Sequence, residues 1–394
     1  SEMCIRDRFT GDFVETGTEQ NSEWEWEQWF EVSMKPLLSR MALAPTDGNH
    51  DDTPNLNYTY HFNTDKTFNE TATVKPQFDG ITYSFVYGDA LFMVYSHQDF
   101  WRGSYSYANG TSTYLSNDVA NWFRDQVEKY PDTKWRIAAV HKNLFTGSGH
   151  QTDEDGALFR ATLLPVFQEL NIDFVIQGHD HIYEVMGPIN NTTKTIVPGS
   201  VTNVELVSPD SNKNPKGQQG GTFNVKDGTL YFVNGTCGRK RYYPYTQDEM
   251  EAGFDKHKVE GYWDLFTGKY GQPGAPAFSE ISVSSSEIEV KTYTSDANAQ
   301  ATLFDTFKIV KNGNTGIEEN KQSAKLYPTY AKDKINTTES DIIRVNAIDL
   351  TGKIYPLPFD NQHIDVSNLT DGIYVVQIFT NEKTRSERIV KTSR

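Results

Sequence analysis

The sequence predicts a mixed α/β domain followed by a small all-β domain. Three observations lead there. Two helix-then-strand units, at 117–141 and 155–181, each end a buried strand in a turn that carries histidine. Strand-like alternation resumes between 228 and 311, and the last stretch of about 70 residues holds short strands separated by turns.

At 394 residues the chain is longer than one typical domain, so a large domain plus a small one is expected. Asp and Glu number 53 against 37 Lys and Arg, a formal charge of -16 that excludes a surface built for a nucleic acid duplex. Small phosphorylated substrates stay open, because bound metal ions supply local positive charge whatever the overall sign. Cys4 and Cys237 make no disulfide framework and read as unpaired thiols. No apolar run reaches the length of a membrane span.

Along the chain, residues 81–96 (ITYSFVYGDALFMVYS) alternate about Gly88-Asp89 and read as a hairpin. Val119, Trp122, Phe123 and Val127 share one helical face, and WRIAAVH follows as a strand ending at His141. Residues 155–170 read as a helix despite Pro165, and IDFVIQGHDH as a strand with a polar end. The Gly-, Pro- and Asn-rich stretch 197–226 reads as a long loop. GTLYFVNGTCG, FSEISVSSSEIEVKTYT and TLFDTFKIVK close the first domain, and DIIRVNAIDL, HIDVSNL and DGIYVVQIFT belong to a small β-sandwich. The expected boundaries are a leader at 1–8, the large domain at 9–311, a linker at 312–325 and the sandwich at 326–394.

Five of the nine histidines, at 50, 141, 150, 179 and 181, lie next to turns or strand ends of the first domain. His61, His97, His257 and His363 read as ordinary surface or core residues. Gly48-Asn49-His50-Asp51 puts an amide oxygen beside an imidazole, and Gly178-His179-Asp180-His181 puts two imidazoles two residues apart, on one side of an extended chain. With Asp12, in Gly11-Asp12-Phe13-Val14-Glu15-Thr16-Gly17, and His141, the donors are oxygen and nitrogen without a thiolate. Structural zinc sites usually use cysteine, so a catalytic zinc, manganese or iron centre is the expectation. Two ions roughly 3.5–4 Å apart would suit in-line displacement at phosphorus. Gly238-Arg239-Lys240-Arg241-Tyr242-Tyr243 either meets a substrate or is a solvated basic turn; it is read as the turn.

GDFVETG, GNHD, the strand end Val140-His141 and GHDH resemble four of the five ordered motifs of the calcineurin-like metallophosphoesterases, nearest the branch of the purple acid phosphatases. Asp305-Thr306-Phe307-Lys308-Ile309 resembles that branch's closing strand. The resemblance implies two mixed sheets packed as a sandwich and flanked by helices, with two metal ions. It implies that Asp12 bridges them, that Asn49, His141 and His179 complete one site, and that His181 serves the other. His50 would act on the leaving group, oriented by Glu15. His150 corresponds to a substrate-contacting histidine of the purple acid phosphatases, or is an ordinary loop residue. Glu15 stands where those enzymes carry an iron-binding tyrosine. The family's first motif has no counterpart before Asp12, and SEMCIRDR reads unlike a strand, so a truncated start with an artefactual leader is expected.

Leu326-Tyr327-Pro328, Asp349-Leu350-Thr351-Gly352-Lys353, Ile364-Asp365-Val366-Ser367-Asn368-Leu369, Asp371-Gly372-Ile373-Tyr374 and the basic end Arg388-Ile389-Val390-Lys391 resemble the C-terminal sorting domain of the type IX secretion system. That resemblance implies a Bacteroidota source, a secretion-machinery partner, and a secreted or surface-attached protein. The expected function is hydrolysis of phosphate monoesters or diesters by an exported enzyme acting on a small phosphorylated substrate. The alternatives are a surface binding or adhesion protein on the same scaffold, or a truncated, inactive phosphoesterase.

Overall fold

The structure, a computed structural model, describes residues 7–17, 23–39, 42–51, 57–64, 67–68, 80–97, 118–191, 204–206, 220–254, 259, 261–266, 269–311, 330–337, 341–349, 353–360, 363–380 and 384–393. The chain divides into two compact units, Ser1–Gly313 and Asn314–Arg394. The expected linker at 312–325, His257 and Leu326-Tyr327-Pro328 lie outside the described residues.

In the first unit, β1 (Asp7–Phe9) pairs in parallel with β2 (Leu43–Pro45). Between them run α1 (Glu23–Glu27), a π-helical turn (Gln28–Met34) and α2 (Lys35–Leu38), and α3 (Asn57–His61) follows. β1 straddles the leader boundary expected at residue 8. Main-chain pairing to β2 needs no alternating apolar pattern, so a strand can form on polar residues such as Asp7 and Arg8.

The central sheet comprises β3 (Tyr83–Tyr87), β4 (Ala90–Val94), β5 (Trp135–Ala139), β6 (Phe174–Gln177), β7 (Tyr183–Asn191), β8 (Val204–Leu206), β10 (Thr229–Asn234) and β11 (Lys269–Gly271), with β9 (Thr222–Asn224) elsewhere. Its order is β11-β7-β10-β6-β5-β4-β3, with β8 on β7. β4, β5, β6 and β10 are mutually parallel neighbours, joined by α4 (Asp118–Lys129) and α5 (Glu154–Glu169). α5 accommodates Pro165 in its interior. The second sheet runs β12 (Ala277–Val283), β13 (Glu287–Ser295), β14 (Ala301–Val310), β9, antiparallel except for β14 with β9. β8 and β9 fall inside the stretch read as a loop; each is a three-residue strand held by pairing to β7 or β14, too short for a periodic signal.

β5 and β6 are buried because both faces are covered. Ala138 and Val175 pack with Trp122, Phe123, Leu163 and Phe167 of α4 and α5. Ile137, Ala139, Phe174 and Ile176 pack with Ile288, Val290, Phe307 and Ile309 of the second sheet. Each Val, Leu, Ile or Phe among them contributes about 1.5–3 kcal/mol by leaving water. The first unit is therefore a helix layer on a mixed sheet on a second mixed sheet. Because β5 and β6 are parallel neighbours, the turns after them emerge together: Val140 N–H donates to Ile176 O at 3.0 Å and Gly178 N–H to His141 O at 2.9 Å.

The second unit is all β. β15 (Tyr330–Ala331), β17 (Ile342–Asp349), β18 (Ile354–Pro356), β20 (Gly372–Thr380) and β21 (Thr384–Lys391) form a sheet of order β15-β21-β20-β17-β18, and β16 (Lys334–Asn336) pairs with β19 (His363–Asp365). Ile335 and Ile364 of the pair share a core with Val345, Ala347, Val376 and Ile389 of the sheet, which makes a two-layer sandwich.

Candidate metal centre

Four turns meet at one edge of the first unit: those after β1, β2, β5 and β6. His141 is 2 % exposed and is the hub. Its Nδ1 meets the Thr10 carbonyl, so Nδ1 carries the proton and Nε2 is left with its lone pair. Around that Nε2 stand Asp12 Oδ2 at 3.1 Å, Asn49 Oδ1 at 3.1 Å and His179 Nδ1 at 3.2 Å. With His179 in its Nε2–H tautomer, the four atoms facing one point are all acceptors and have no hydrogen bonds to share among themselves. A cation answers that arrangement, and the oxygen and nitrogen donors fit zinc, manganese or iron. The ligand atoms of Asp12, His141 and His179 lie within 4.8 Å of one another.

The backbone is forced at two of these residues. Asp12 has φ of 56° and His179 φ of 65°, left-handed values that L side chains avoid. Gly11, at φ of 94°, comes so near His141 that a Cβ there would lie 2.5 Å from Nδ1. Desolvation works against the Asp12 carboxylate, and the His50 main-chain N–H bonded to it helps to hold its pKa below the ordinary value. Burial keeps His179 neutral.

His181 lies outside that group. Its Nδ1 is 2.9 Å from the Lys240 carbonyl, and its ring stacks on Tyr242 with centroids 4.7 Å apart. As in His141, a proton on Nδ1 leaves Nε2 free as a ligand atom. His50 donates its main-chain N–H to Asp12 Oδ1 at 3.0 Å, while its ring Nδ1 bonds the Glu15 carbonyl at 2.8 Å. The Glu15 carboxylate is 3.9 Å away, so the main chain of Glu15, not its side chain, makes the orienting hydrogen bond. His150 Nδ1 bonds Asp153 Oδ2 at 2.8 Å, and its ring lies 3.9 Å from that of His179. Burial opposes protonation of His150, but Asp153 and Asp180 raise its pKa.

Two supports escaped the reading of the sequence. Asp51, fully buried, accepts N–H bonds from Phe13 at 2.6 Å, Val14 at 3.1 Å and Gly48 at 2.9 Å, so it ties the Asp12 turn to the Asn49 turn. Burial, with the Asp12 charge added, pushes its carboxyl up to about 7. It was visible as the last residue of GNHD. The other support is an aromatic cluster in which Phe13 meets Trp26 at 5.9 Å and Trp29 at 4.9 Å. The run EWEWEQWF was its signal. His97, read as ordinary, is buried with its ring 6.4 Å from that of His141.

Residues 8–183 match the family model of the calcineurin-like phosphoesterases. That match covers 176 of the 394 residues, all within the first unit. Residues 325–392 match the secretion system C-terminal sorting domain. An uncharacterized protein of Mycobacterium tuberculosis is 24% identical over 201 residues, 48% of this chain and 36% of that protein. Purple acid phosphatase 5 of Arabidopsis thaliana is 26% identical over 176 residues, 44% of this chain and 34% of that protein. The matched part of the chain thus spans about a third of the length of these relatives. Among solved structures, purple acid phosphatase PPD1 of yellow lupin superposes with a TM-score of 0.45 at 13% identity, covering 78% of this chain and 47% of that one. GAP50, the anchor in the inner membrane complex of Plasmodium, gives 0.44 at 13% identity over 79% of each chain. Scores this low carry no argument about function. The phosphoesterase motifs GDFVETG, GNHD, Val140-His141 and GHDH all fall within the matched residues 8–183. The sorting domain marks the chain for export and attachment at the cell surface by the type IX machinery. No helix among the described residues is long and apolar enough to cross a membrane.

Proposed function

We propose that the phosphoesterase region is a metal-dependent hydrolase of phosphate monoesters or diesters acting outside the cell. The observation that carries this reading is the convergence of Asp12, Asn49 and His179 on the lone pair of His141. Asp12, Asn49, His141 and His179 would hold one ion, and Asp12 with His181 would contribute to a second. Metal ions supply two things to such a reaction: a water whose pKa falls toward 7, and neutralisation of charge on the phosphoryl oxygens.

The chain's own residues do the rest. Thr10 and Lys240 fix the tautomers of His141 and His181 through their carbonyls, so each ring presents Nε2. Asp51 holds the two ligand turns at one spacing. His50, with Nδ1–H on the Glu15 carbonyl, would as an imidazolium deliver its Nε2 proton to the leaving-group oxygen as the P–O bond breaks, and be left neutral. His150, braced by Asp153, lies beside His179 at the mouth of the site and meets the phosphoryl oxygens.

The test is metal content by mass spectrometry after dialysis, together with hydrolysis of an aryl phosphate and a bis-aryl phosphate. Asp12→Ala and His141→Ala should each lose bound metal and at least about 100-fold in kcat, the scale lost when catalytic electrostatics are removed. Wild-type protein that binds no metal, or variants that hydrolyse as fast as the wild type, would overturn the proposal.

A further inference from the structure

The basic run read as a solvated turn is anchored to the candidate centre. Lys240 supplies the carbonyl at His181 Nδ1, and Tyr242 donates its main-chain N–H to His181 O at 3.4 Å. Gln272 clamps both sides, its amide donating to His181 O at 2.7 Å and to Tyr242 O at 2.8 Å. Farther along, Ser148 Oγ donates to Tyr243 O at 3.0 Å and Tyr245 N–H to Gly147 O at 2.8 Å. A loop pinned at these points has little main-chain freedom left to lose on binding a ligand.

The Lys240 ammonium bonds the Tyr242 side chain, 5.6 Å from the ring centre. Among the described residues none of Arg239, Lys240 and Arg241 pairs with a carboxylate, in a chain carrying a net charge of -16. Arg241 Nε is shielded from solvent without a partner, while Nη1 braces the turn at the Arg239 carbonyl, 3.1 Å away. Tyr243 is 88% exposed although its main chain is tied down. Tyr242, and then the negative charges of Glu15 and Asp12, raise the pKa of Lys240, so its ammonium lies within the field of the metal-site carboxylates. Cations without a carboxylate partner and an open aromatic face beside a phosphoryl site make a recognition surface for an anion attached to a flat ring.

We propose that the loop 238–245 is the substrate-recognition rim of the centre, selecting esters that carry a second anionic group and a planar heteroaromatic ring, as nucleoside di- and triphosphates do. This rests on the phosphoesterase reading. The terminal phosphoryl group sits at the metal ligands, the second anionic group on Arg239 and Lys240, and the ring on Tyr243.

Calorimetric binding of α,β-methylene adenosine diphosphate and of inorganic phosphate to the metal-loaded full chain tests it. Arg239→Ala with Lys240→Ala should weaken the nucleotide analogue roughly tenfold or more, the scale of one or two hydrogen bonds to a charged group, and phosphate less than about twofold. Arg241 is left in place because it braces the turn. Tyr243→Ala should weaken the analogue several-fold and leave pyrophosphate unchanged, which separates the ring from the charge. Equal weakening of analogue and phosphate, no weakening of either, or a wild type that does not bind the analogue at 1 mM (about 4 kcal/mol) would overturn the rim. Loss of metal and of phosphate binding in the wild type would instead sink the phosphoesterase reading, and the two failures are thereby told apart.

Discussion

Gly178→Ala is the sharpest probe of the centre, because the methyl group it adds has nowhere to go. A Cβ at this position would lie 2.5 Å from the Thr10 carbonyl oxygen, 2.8 Å from Thr10 Oγ1 and 3.1 Å from His141 Nδ1. Ordinary van der Waals contact begins near 3.4 Å, so the Thr10 carbonyl or the His179 turn must retreat by about 0.9 Å. The same carbonyl fixes the His141 ring, and the next residue is His179. Gly178 is also bonded through its N–H to His141 O, so main-chain adjustment separates the two histidines. A misplacement of about 1 Å at a reacting centre costs about 100-fold, equivalent to about 2.7 kcal/mol of transition-state stabilisation. The fold itself should lose only the ordinary ~1–3 kcal/mol of overpacking. The assay pairs kcat/KM on an aryl phosphate with metal per chain and thermal unfolding, using Gly149→Ala, whose Cβ meets nothing within 4 Å, as control. A Gly178→Ala protein with wild-type metal content and kcat/KM within a factor of two would refute the geometry.

Three further outcomes are expected. Lys269 and Asp305 form a buried ion pair between β11 and β14, 2% and 1% exposed, with the Tyr183 hydroxyl on the same carboxylate at 2.6 Å. Lys269→Met strands that carboxylate and should destabilise the first unit by ~3–5 kcal/mol in urea unfolding; a loss under ~1 kcal/mol would show that Tyr183 suffices. Burial pushes the Asp173 carboxyl from 3.8 up to about 6 despite Lys311. The folded state therefore binds its proton more tightly than the unfolded chain, and this stabilisation, present below pH 3.8, is lost as pH rises through 6, about 3 kcal/mol in all. Asp173→Asn should flatten that slope, and an unchanged slope would place the pH dependence elsewhere. All seven tryptophans precede residue 264, so their fluorescence reports the first unit alone. Removing 314–394 should leave metal content and kcat within a factor of about two; a large fall in kcat at constant metal would show that the second unit takes part in hydrolysis.

The sequence by itself determined the donor types and where they stand in the chain. Histidine, asparagine and aspartate on the polar turns after apolar strands are legible because strands and turns are local, written in periods of two and in glycine. The two layers around β5 and β6 were expected only through the family resemblance, since a strand apolar on both faces needs cover on both but does not say what supplies it. The groups that hold the ligands were not legible. Thr10 and Lys240 act through main-chain carbonyls, which any residue possesses, and the bond from Lys240 to His181 spans 59 positions. Glu15 was read as orienting His50, but not that its main-chain carbonyl makes the hydrogen bond. Arg239-Lys240-Arg241 read as a solvated turn, and Arg239 and Lys240 are exposed, but the sequence did not show that this turn is bonded to His181. The strand order set β10 next to β6 and β7, and with it the loop after β10 beside the turn after β6. Tertiary structure alone decided that neighbourhood, since electrostatic attraction acts over a few ångströms of space and not along the number of residues between two groups.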